Sequence, residues 1–190
     1  NAMSSLALPK YWQVAQTQLM KSDRILRRII PLHGNQGLTV AEPPFVTLVR
    51  AIMAQQASRQ TALSQWQRFS ACYGEHPSPQ KIAILSADCL RQIGLPKRKA
   101  EYIIEVSTHF VNGHINMDHL ASLDDEQVIQ SLCEIRGVGR WTAEMFLIFN
   151  LRRADVLPLD DAGLIKAISK HYFSGEPVSR FEAREVAQAW

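Results

Sequence analysis

Two adjacent carboxylates, Asp160 and Asp161, follow Pro158 at the start of an apolar-periodic segment. Aspartate commonly caps a helix by accepting a hydrogen bond from an early backbone N–H, worth roughly 0.5–2 kcal/mol. One helix start has one cap position, which leaves the second carboxylate for another task. Placed in a cleft, such a group can stabilise a developing positive charge. About 20 residues upstream lies Gly137-Val138-Gly139, flanked by Arg136 and Arg140. Glycine tolerates positive φ and leaves the backbone bare for close approach. The N–H groups of a tight turn feeding a helix N-terminus form an anion site. A DNA phosphate, held without sequence preference, suits that site. An ordinary helix corner with glycine stops is the alternative, and so short a match does not decide between them. A third basic group, Lys97-Arg98-Lys99, follows Gly94-Leu95-Pro96 and reads as a solvated face or a contact to backbone phosphate.

No metal or thiol centre emerges. Cys72, Cys89 and Cys133 stand 17 and 44 residues apart without a CxxC pair. Zinc and iron–sulfur readings therefore lack support. The odd count and wide spacing favour reduced thiols and a cytoplasmic protein. None of the six histidines shows metal-ligand spacing.

The elements that must hold these groups read as helices, with no convincing two-residue alternation. Residues 10–30 carry helical apolar positions, with Arg24, Arg27 and Arg28 on another side, and 31–42 read as a loop. Pro43-Pro44 opens the next helix, with Phe45, Leu48, Val49 and Ile52 as a core stripe. Ala62, Trp66, Phe69 and Tyr73 form a second stripe, and 74–81 reads as a loop. A short helix runs from Ala87 to Ile93, with Ser86 as N-cap and Gly94 as stop. The helix after Pro96 turns Ala100, Ile103, Ile104 and Phe110 inward and ends at Asn112-Gly113. Asp124 with Gln127, and Ser179 with Glu182, have the spacing of capping boxes. The helix after Gly139 is apolar on most sides, which predicts the buried central helix. The fold class is all-α with short connections.

The 190 residues are 46% hydrophobic and 21% charged, enough for a real core and unlike a disordered chain. The longest apolar runs, such as Met145 to Phe149, fall far short of a membrane span, and no signal peptide pattern opens the chain. The net charge of +3 permits an anionic partner without demanding one. Asn1-Ala2-Met3 reads as a tag scar. Trp190 must either fold back onto the core or precede further chain, and the second is expected.

Taken together, Gly137-Val138-Gly139-Arg140-Trp141-Thr142-Ala143 and the Pro158-Leu159-Asp160-Asp161 helix start resemble the helix-hairpin-helix DNA glycosylase superfamily. The nearer likeness is to its 3-methyladenine DNA glycosylase II branch. Gln55-Gln56-Ala57-Ser58 is similar to that branch's Gln-Gln-x-Ser segment, and Gly94-Leu95-Pro96-Lys97-Arg98-Lys99-Ala100 to its basic turn. Four motifs in the right order, over roughly residues 43–190, make the likeness specific.

The resemblance implies two helical lobes around a central cleft, without an N-terminal β domain. One lobe is expected over about 43–155, the other over 4–42 plus 156–190, with a further C-terminal helix after 190. It implies an enzyme that flips an alkylated purine, chiefly 3-methyladenine, out of double-stranded DNA and hydrolyses its N-glycosidic bond. Asp161 takes the catalytic place. Asp160, Trp141 and Met145 belong to the substrate pocket, with core packing as the alternative for Trp141. Gln56 takes the place of the wedge that fills the gap left by the flipped base, with a solvated helix end as the alternative. Arg136 to Arg140, Thr142, Lys97 and Lys99 face DNA. Position 141 is Trp where strand-cleaving relatives carry a Schiff-base lysine, which implies a monofunctional enzyme. No cofactor is required and no iron–sulfur cluster is expected. A monovalent cation (sodium or potassium) on the backbone carbonyls of Cys133, Ile135 and Val138 is implied. The expected partner is alkylated duplex DNA, bound by a monomer with no membrane association. The rivals are a non-catalytic DNA-binding module on the same hairpin, and a glycosylase for a neutral lesion or mismatch.

Overall fold

A computed structural model describes residues 8–34, 36–38 and 41–190; the tag scar expected at 1–3 lies outside them. Among the described residues every regular element is helical. In chain order these are α1 (Trp12–Ser22), α2 (Arg24–Ile29), α3 (Pro44–Ala54), α4 (Arg59–Tyr73), α5 (Pro79–Ala83), α6 (Ala87–Gln92) and α7 (Lys97–Val111). They continue as α8 (Met117–Ser122), α9 (Asp125–Cys133), α10 (Arg140–Phe149), α11 (Ala162–Tyr172) and α12 (Arg180–Ala187), with a 3-10 turn over Ile30–His33. No helix among the described residues is long and apolar enough to cross a membrane. The chain divides into two compact units, one of residues 41–156, the other of 1–40 with 157–190.

The larger unit is built around α3. Eight of its eleven residues are buried, Phe45 to Val49 and Ala51 to Met53. A helix buried on all sides must be wrapped by neighbours, and α4, α7 and α10 pack on it. Each fully buried Leu, Ile or Phe contributes about 1.5–3 kcal/mol. The expectation that α10 would be the central helix is corrected. α10 buries Thr142, Ala143, Glu144, Phe146 and Leu147, but Phe149 is 50% exposed. The capping box predicted at Asp124 and Gln127 forms. Ser86 stands at the N-cap position of α6 but makes no cap hydrogen bond. Two short helices fall where the sequence suggested none. α5 starts with Pro79 in its first turn, capped by Ser78. α8 is capped by Asn116.

The smaller unit has a modest core of Leu159, Ile168 and Ala183, with half-buried neighbours that include Leu164, Tyr172 and Trp190. The helical pattern over 10–30 forms two helices, divided at Asp23. This residue is extended, and its Oδ1 caps α2 by accepting from the N–H groups of Ile25 and Leu26 at 2.8 and 2.9 Å. Its Oδ2 accepts from Tyr172 Oη at 2.9 Å and Trp190 Nε1 at 3.0 Å. One carboxylate thus joins the two sequence-distant parts of this unit. Trp190 does fold back, against Tyr172 with ring centroids 6.2 Å apart. The capping box at Ser179 and Glu182 forms at the start of α12.

Candidate functional site

The residues singled out from the sequence fall in both units. In the larger unit, α9 ends at Cys133 and α10 begins at Arg140. The turn between them is closed by Ile135 N donating to Leu132 O and Val138 N donating to Ile135 O, both at 3.1 Å. Ile135 and Val138 are buried, anchoring the turn from below. Gly137 has φ +96°, and a Cβ there would lie 2.3 Å from Tyr102 Cγ. Only glycine fits, both for its backbone and for the ring beneath it. Gly139 is the N-cap of α10, is extended, and has open space where a Cβ would sit. The early N–H groups of a helix point outward along its axis, a geometry that suits an anion.

A side chain named above only as part of the Gln55–Ser58 motif, with no role of its own, holds this turn. Gln55, the C-cap residue of α3, donates from Nε2 to Gly137 O at 2.7 Å and to Thr142 Oγ1 at 2.9 Å. Thr142, expected to face DNA, is buried and accepts that bond. Gln55 was missed because its partners lie 82 and 87 residues away. The one local hint was its place at the end of the apolar run of α3. Gln56 is exposed and has φ +48°, in the left-handed region. A non-glycine residue there costs about 1–2 kcal/mol, and such residues cluster at functional sites. Ser58 caps α4, accepting from Thr61 N at 3.1 Å.

The basic residues are more engaged than the sequence suggested. Arg136 pairs with Glu101 at 3.2 Å and its guanidinium lies 5.5 Å from the centre of the Tyr102 ring. Arg140 makes two hydrogen bonds to Glu126, at 2.6 and 3.1 Å, and lies 3.8 Å from the buried Glu144. The hydrogen bond with Glu126 raises the pKa of Arg140 and lowers that of Glu126. Lys99 departs from its expected place at a DNA surface. Its Nζ is half-buried and donates to Met53 O at 2.6 Å, at the C-terminal end of α3, and burial lowers its pKa. Cations at helix C-termini complement the helix dipole. Lys97 remains exposed in the first turn of α7. Trp141 and Met145, one turn apart on α10, are half-buried. Cys133 is an exposed residue, and partial burial of its thiol raises its pKa.

In the smaller unit, the Pro158–Asp161 turn closes with Asp161 N donating to Pro158 O at 2.9 Å. Asp161, half-buried, is the N-cap of α11, its Oδ2 accepting from Leu164 N at 2.8 Å. Asp160 is exposed and forms an ion pair with Arg180. The division of labour argued from the sequence is therefore altered. The aspartate assigned to chemistry is also the cap, and its neighbour is the one in an ion pair. Gly163 leaves room beside the carboxylate, since a Cβ there would stand 3.3 Å from Asp161 Oδ2.

The sequence pattern of the HhH-GPD superfamily of base excision DNA repair proteins matches residues 49–190. The Bacillus subtilis protein YfjP is 32% identical over 172 residues, which are 87% of this chain and 60% of that protein. DNA-3-methyladenine glycosylase 1 of Schizosaccharomyces pombe is 31% identical over 79% of this chain and 68% of its own length. Among solved structures, the S. pombe 3-methyladenine DNA glycosylase Mag1 in complex with abasic DNA superposes with a TM-score of 0.84. The match has 26% identity and covers 92% of this chain and 88% of that one.

Proposed function

Because the chain belongs to the HhH-GPD superfamily of base excision DNA repair proteins, we propose that it is a monofunctional DNA glycosylase that removes alkylated purines, chiefly 3-methyladenine, from duplex DNA. The observation that carries this reading is the superposition on Mag1, solved with abasic DNA, over nearly the whole chain. Abasic DNA is the product of the reaction proposed here.

N3-alkylation makes the purine cationic and a good leaving group. As the C1′–N9 bond breaks, its electron pair stays with the base, which leaves neutral. The sugar gains oxocarbenium character, as in other glycoside cleavages. The Asp161 carboxylate stabilises that charge. Water adds its oxygen to C1′ and gives up a proton, with Asp161 as acceptor. The Leu164 N–H bond fixes the orientation of the carboxylate. Trp141 stacks on the cationic base, an interaction worth roughly 0.5–2 kcal/mol, and Met145 lines the same pocket. The Gly137–Gly139 turn and the start of α10 hold a backbone phosphate through N–H groups. Gln56 fills the gap left by the extruded nucleotide, lowering the cost of flipping. With an indole at position 141 no amine is available there for a Schiff base, so the product is an abasic site rather than a nicked strand.

A monovalent cation on the carbonyls of Cys133, Ile135 and Val138 belongs to the same proposal. Neutral carbonyl oxygens suit sodium or potassium. The Ile135 oxygen, already accepting from Val138 N, keeps a second lone pair. The ion would fix the turn and add positive charge near a phosphate. The protein is proposed to act as a monomer in the cytoplasm, on chromosomal DNA.

The test is release of free 3-methyladenine from methylated duplex DNA. The unaltered protein should release it. Asp161→Asn, which retains a good helix cap, should lose release by about 100-fold or more while still binding DNA. Turnover that survives the substitution removes Asp161 from the chemistry. DNA binding without release by the unaltered protein favours a non-catalytic binding module.

A further inference from the structure

We propose that Gln55 is a positioning residue that sets the register between the base-gap wedge and the phosphate-binding turn. The inference rests on the function proposed above and assigns to Gln55 a task distinct from that of its neighbour.

The segment joining α3 to α4 is short and folded on itself. Gln55 leaves the helix with ψ +123°, and Gln56 follows with φ +48°. Their side chains diverge. Gln55 is half-buried and tied to the α9–α10 turn, whereas Gln56 is exposed. Local hydrogen bonds alone do not place this tip relative to the turn. Gln55 N donates to Ile52 O, Ala57 N to Ala54 O, and Ser58 caps α4, all within the segment. Lys99 restrains the base of the tip through Met53 O. The amide of Gln55 is the restraint next to Gln56, and it ends on the two sides of the anion-binding corner. Gly137 O lies in the turn, and Thr142 Oγ1 lies in the first turn of α10.

That arrangement matters because flipping is a two-handed operation. A phosphate must be held while a side chain enters the gap, so the distance between the two holds determines how well the extruded state is supported. Misplacing a reacting or supporting group by 1 Å can cost about 100-fold in rate. Both restraints come from one planar amide, and both acceptors belong to the corner itself. Phosphate binding at the corner is thereby coupled to the position of residue 56 through one side chain. A glutamine that only packed the core would not need both acceptors. Nor would its loss depend on whether the damaged base is paired.

That dependence gives the test. An oligonucleotide with a single adenine is methylated, then annealed either to its complement or to a strand with a tetrahydrofuran abasic analogue opposite that adenine. Released 3-methyladenine is measured for the unaltered protein, for Gln55→Met, which keeps the chain length but removes the amide, and for Thr142→Val, which removes one acceptor. The cost of extrusion is smaller when the base has no partner. Gln55→Met should therefore lose about 10-fold or more on the paired duplex and come within about 3-fold of the unaltered protein on the unpaired one. Thr142→Val should shift the same ratio in the same direction by less. Equal losses on both substrates, or no loss on either, overturn the proposal. Urea unfolding of each variant keeps a folding defect from passing as a positioning one, since it lowers both activities together. If the unaltered protein releases nothing from either duplex, the glycosylase reading falls and this inference with it.

Discussion

The α9–α10 turn and the Pro158–Asp161 turn each lead into a helix that the proposed reaction uses, but they are held in different ways. The first is fixed from outside itself. Tyr102 from α7 lies under Gly137, Gln55 from the end of α3 grips its carbonyl, and Ile135 and Val138 are sunk in the larger core. The second is held by one bond from its own helix, Leu164 N to Asp161, and by a surface ion pair of Asp160 with Arg180 at the start of α12. Among the described residues its unit buries three apolar side chains, Leu159, Ile168 and Ala183. A phosphate clamp that reads only the backbone works best when rigid, because its donors must already point at the anion. A carboxylate acting through charge tolerates more freedom, since Coulomb attraction falls off gently with distance.

The largest effect should come from forcing a side chain into the rigid turn. Gly137→Ala places a methyl group against the Tyr102 ring and demands a left-handed backbone. Overpacking and left-handed strain together predict a loss of about 2–4 kcal/mol. Gly139→Ala, with open space around it and an extended backbone, should stay within about 1 kcal/mol. It should still weaken DNA binding by standing where a phosphate approaches. Urea unfolding of both variants, with fluorescence-anisotropy titrations on duplex DNA, checks the pair. Equal stabilities would mean that the turn is not fixed by Tyr102.

A smaller effect is expected at Asp23, which serves the second turn's unit at a distance. Asp23→Ala removes a helix cap and the acceptor for Tyr172 and Trp190, and should cost about 1.5–3 kcal/mol near neutral pH. Burial pushes the Asp23 carboxyl pKa up, but the hydrogen bonds from Leu26 N, Trp190, Tyr172 and Ile25 N outweigh it and bring it below the ordinary 3.8. A lowered carboxyl pKa gives stability that is complete above the unfolded value and lost as pH falls through the folded one. Burial first, then the Asp23 hydrogen bond and charge, raise the pKa of Tyr172 above its ordinary 10.0. A raised tyrosine pKa gives stability that is present below pH 10 and lost as pH climbs beyond it. The gap between the unaltered protein and Asp23→Ala should therefore be widest between about pH 5 and 9 and narrow on both sides. Urea melts across pH would show it. A gap that stays constant down to pH 2 would remove the carboxylate charge from the account.

The contrast also explains what could be read in the sequence. Local signals were legible. Both capping boxes, the proline-opened α3 and the glycine-centred hairpin depend on residues within a few positions of one another. The break at Asp23 was hidden because Ile25, Leu26 and Ile29 continue a helical apolar pattern across it. α5 was hidden because Pro79 reads as a loop residue unless Ser78 is recognised as a cap. Within the candidate site, the turn and Asp161 could be named, but the partners could not. Lys99 binds a carbonyl 46 residues away, Arg136 a carboxylate 35 away, and Gln55 a carbonyl 82 away. No local periodicity encodes such pairings. Choosing Gln56 and passing over Gln55 is the clearest case, since side chains on adjacent residues of a tight turn diverge to different surroundings.

The smallest effect should sharpen the account of the rigid turn's charge. Arg140 flanks the proposed phosphate site, yet its guanidinium is already satisfied by Glu126, an exposed carboxylate on α9. Surface ion pairs contribute little to stability, so Glu126→Gln should leave the urea midpoint unchanged. Its effect should fall on DNA, because the substitution removes one negative charge beside the clamp and frees a planar cation for a phosphate. Duplex affinity at low salt should rise about 2- to 5-fold, with the salt dependence steeper by roughly 0.9, the share of one additional phosphate contact. Arg140→Gln should leave that slope where it is and make Glu126→Gln silent in the double variant. If Glu126→Gln strengthens binding equally with and without Arg140, the gain is one of net charge alone. The phosphate would then be held by the backbone of the turn without help from its flanking arginine.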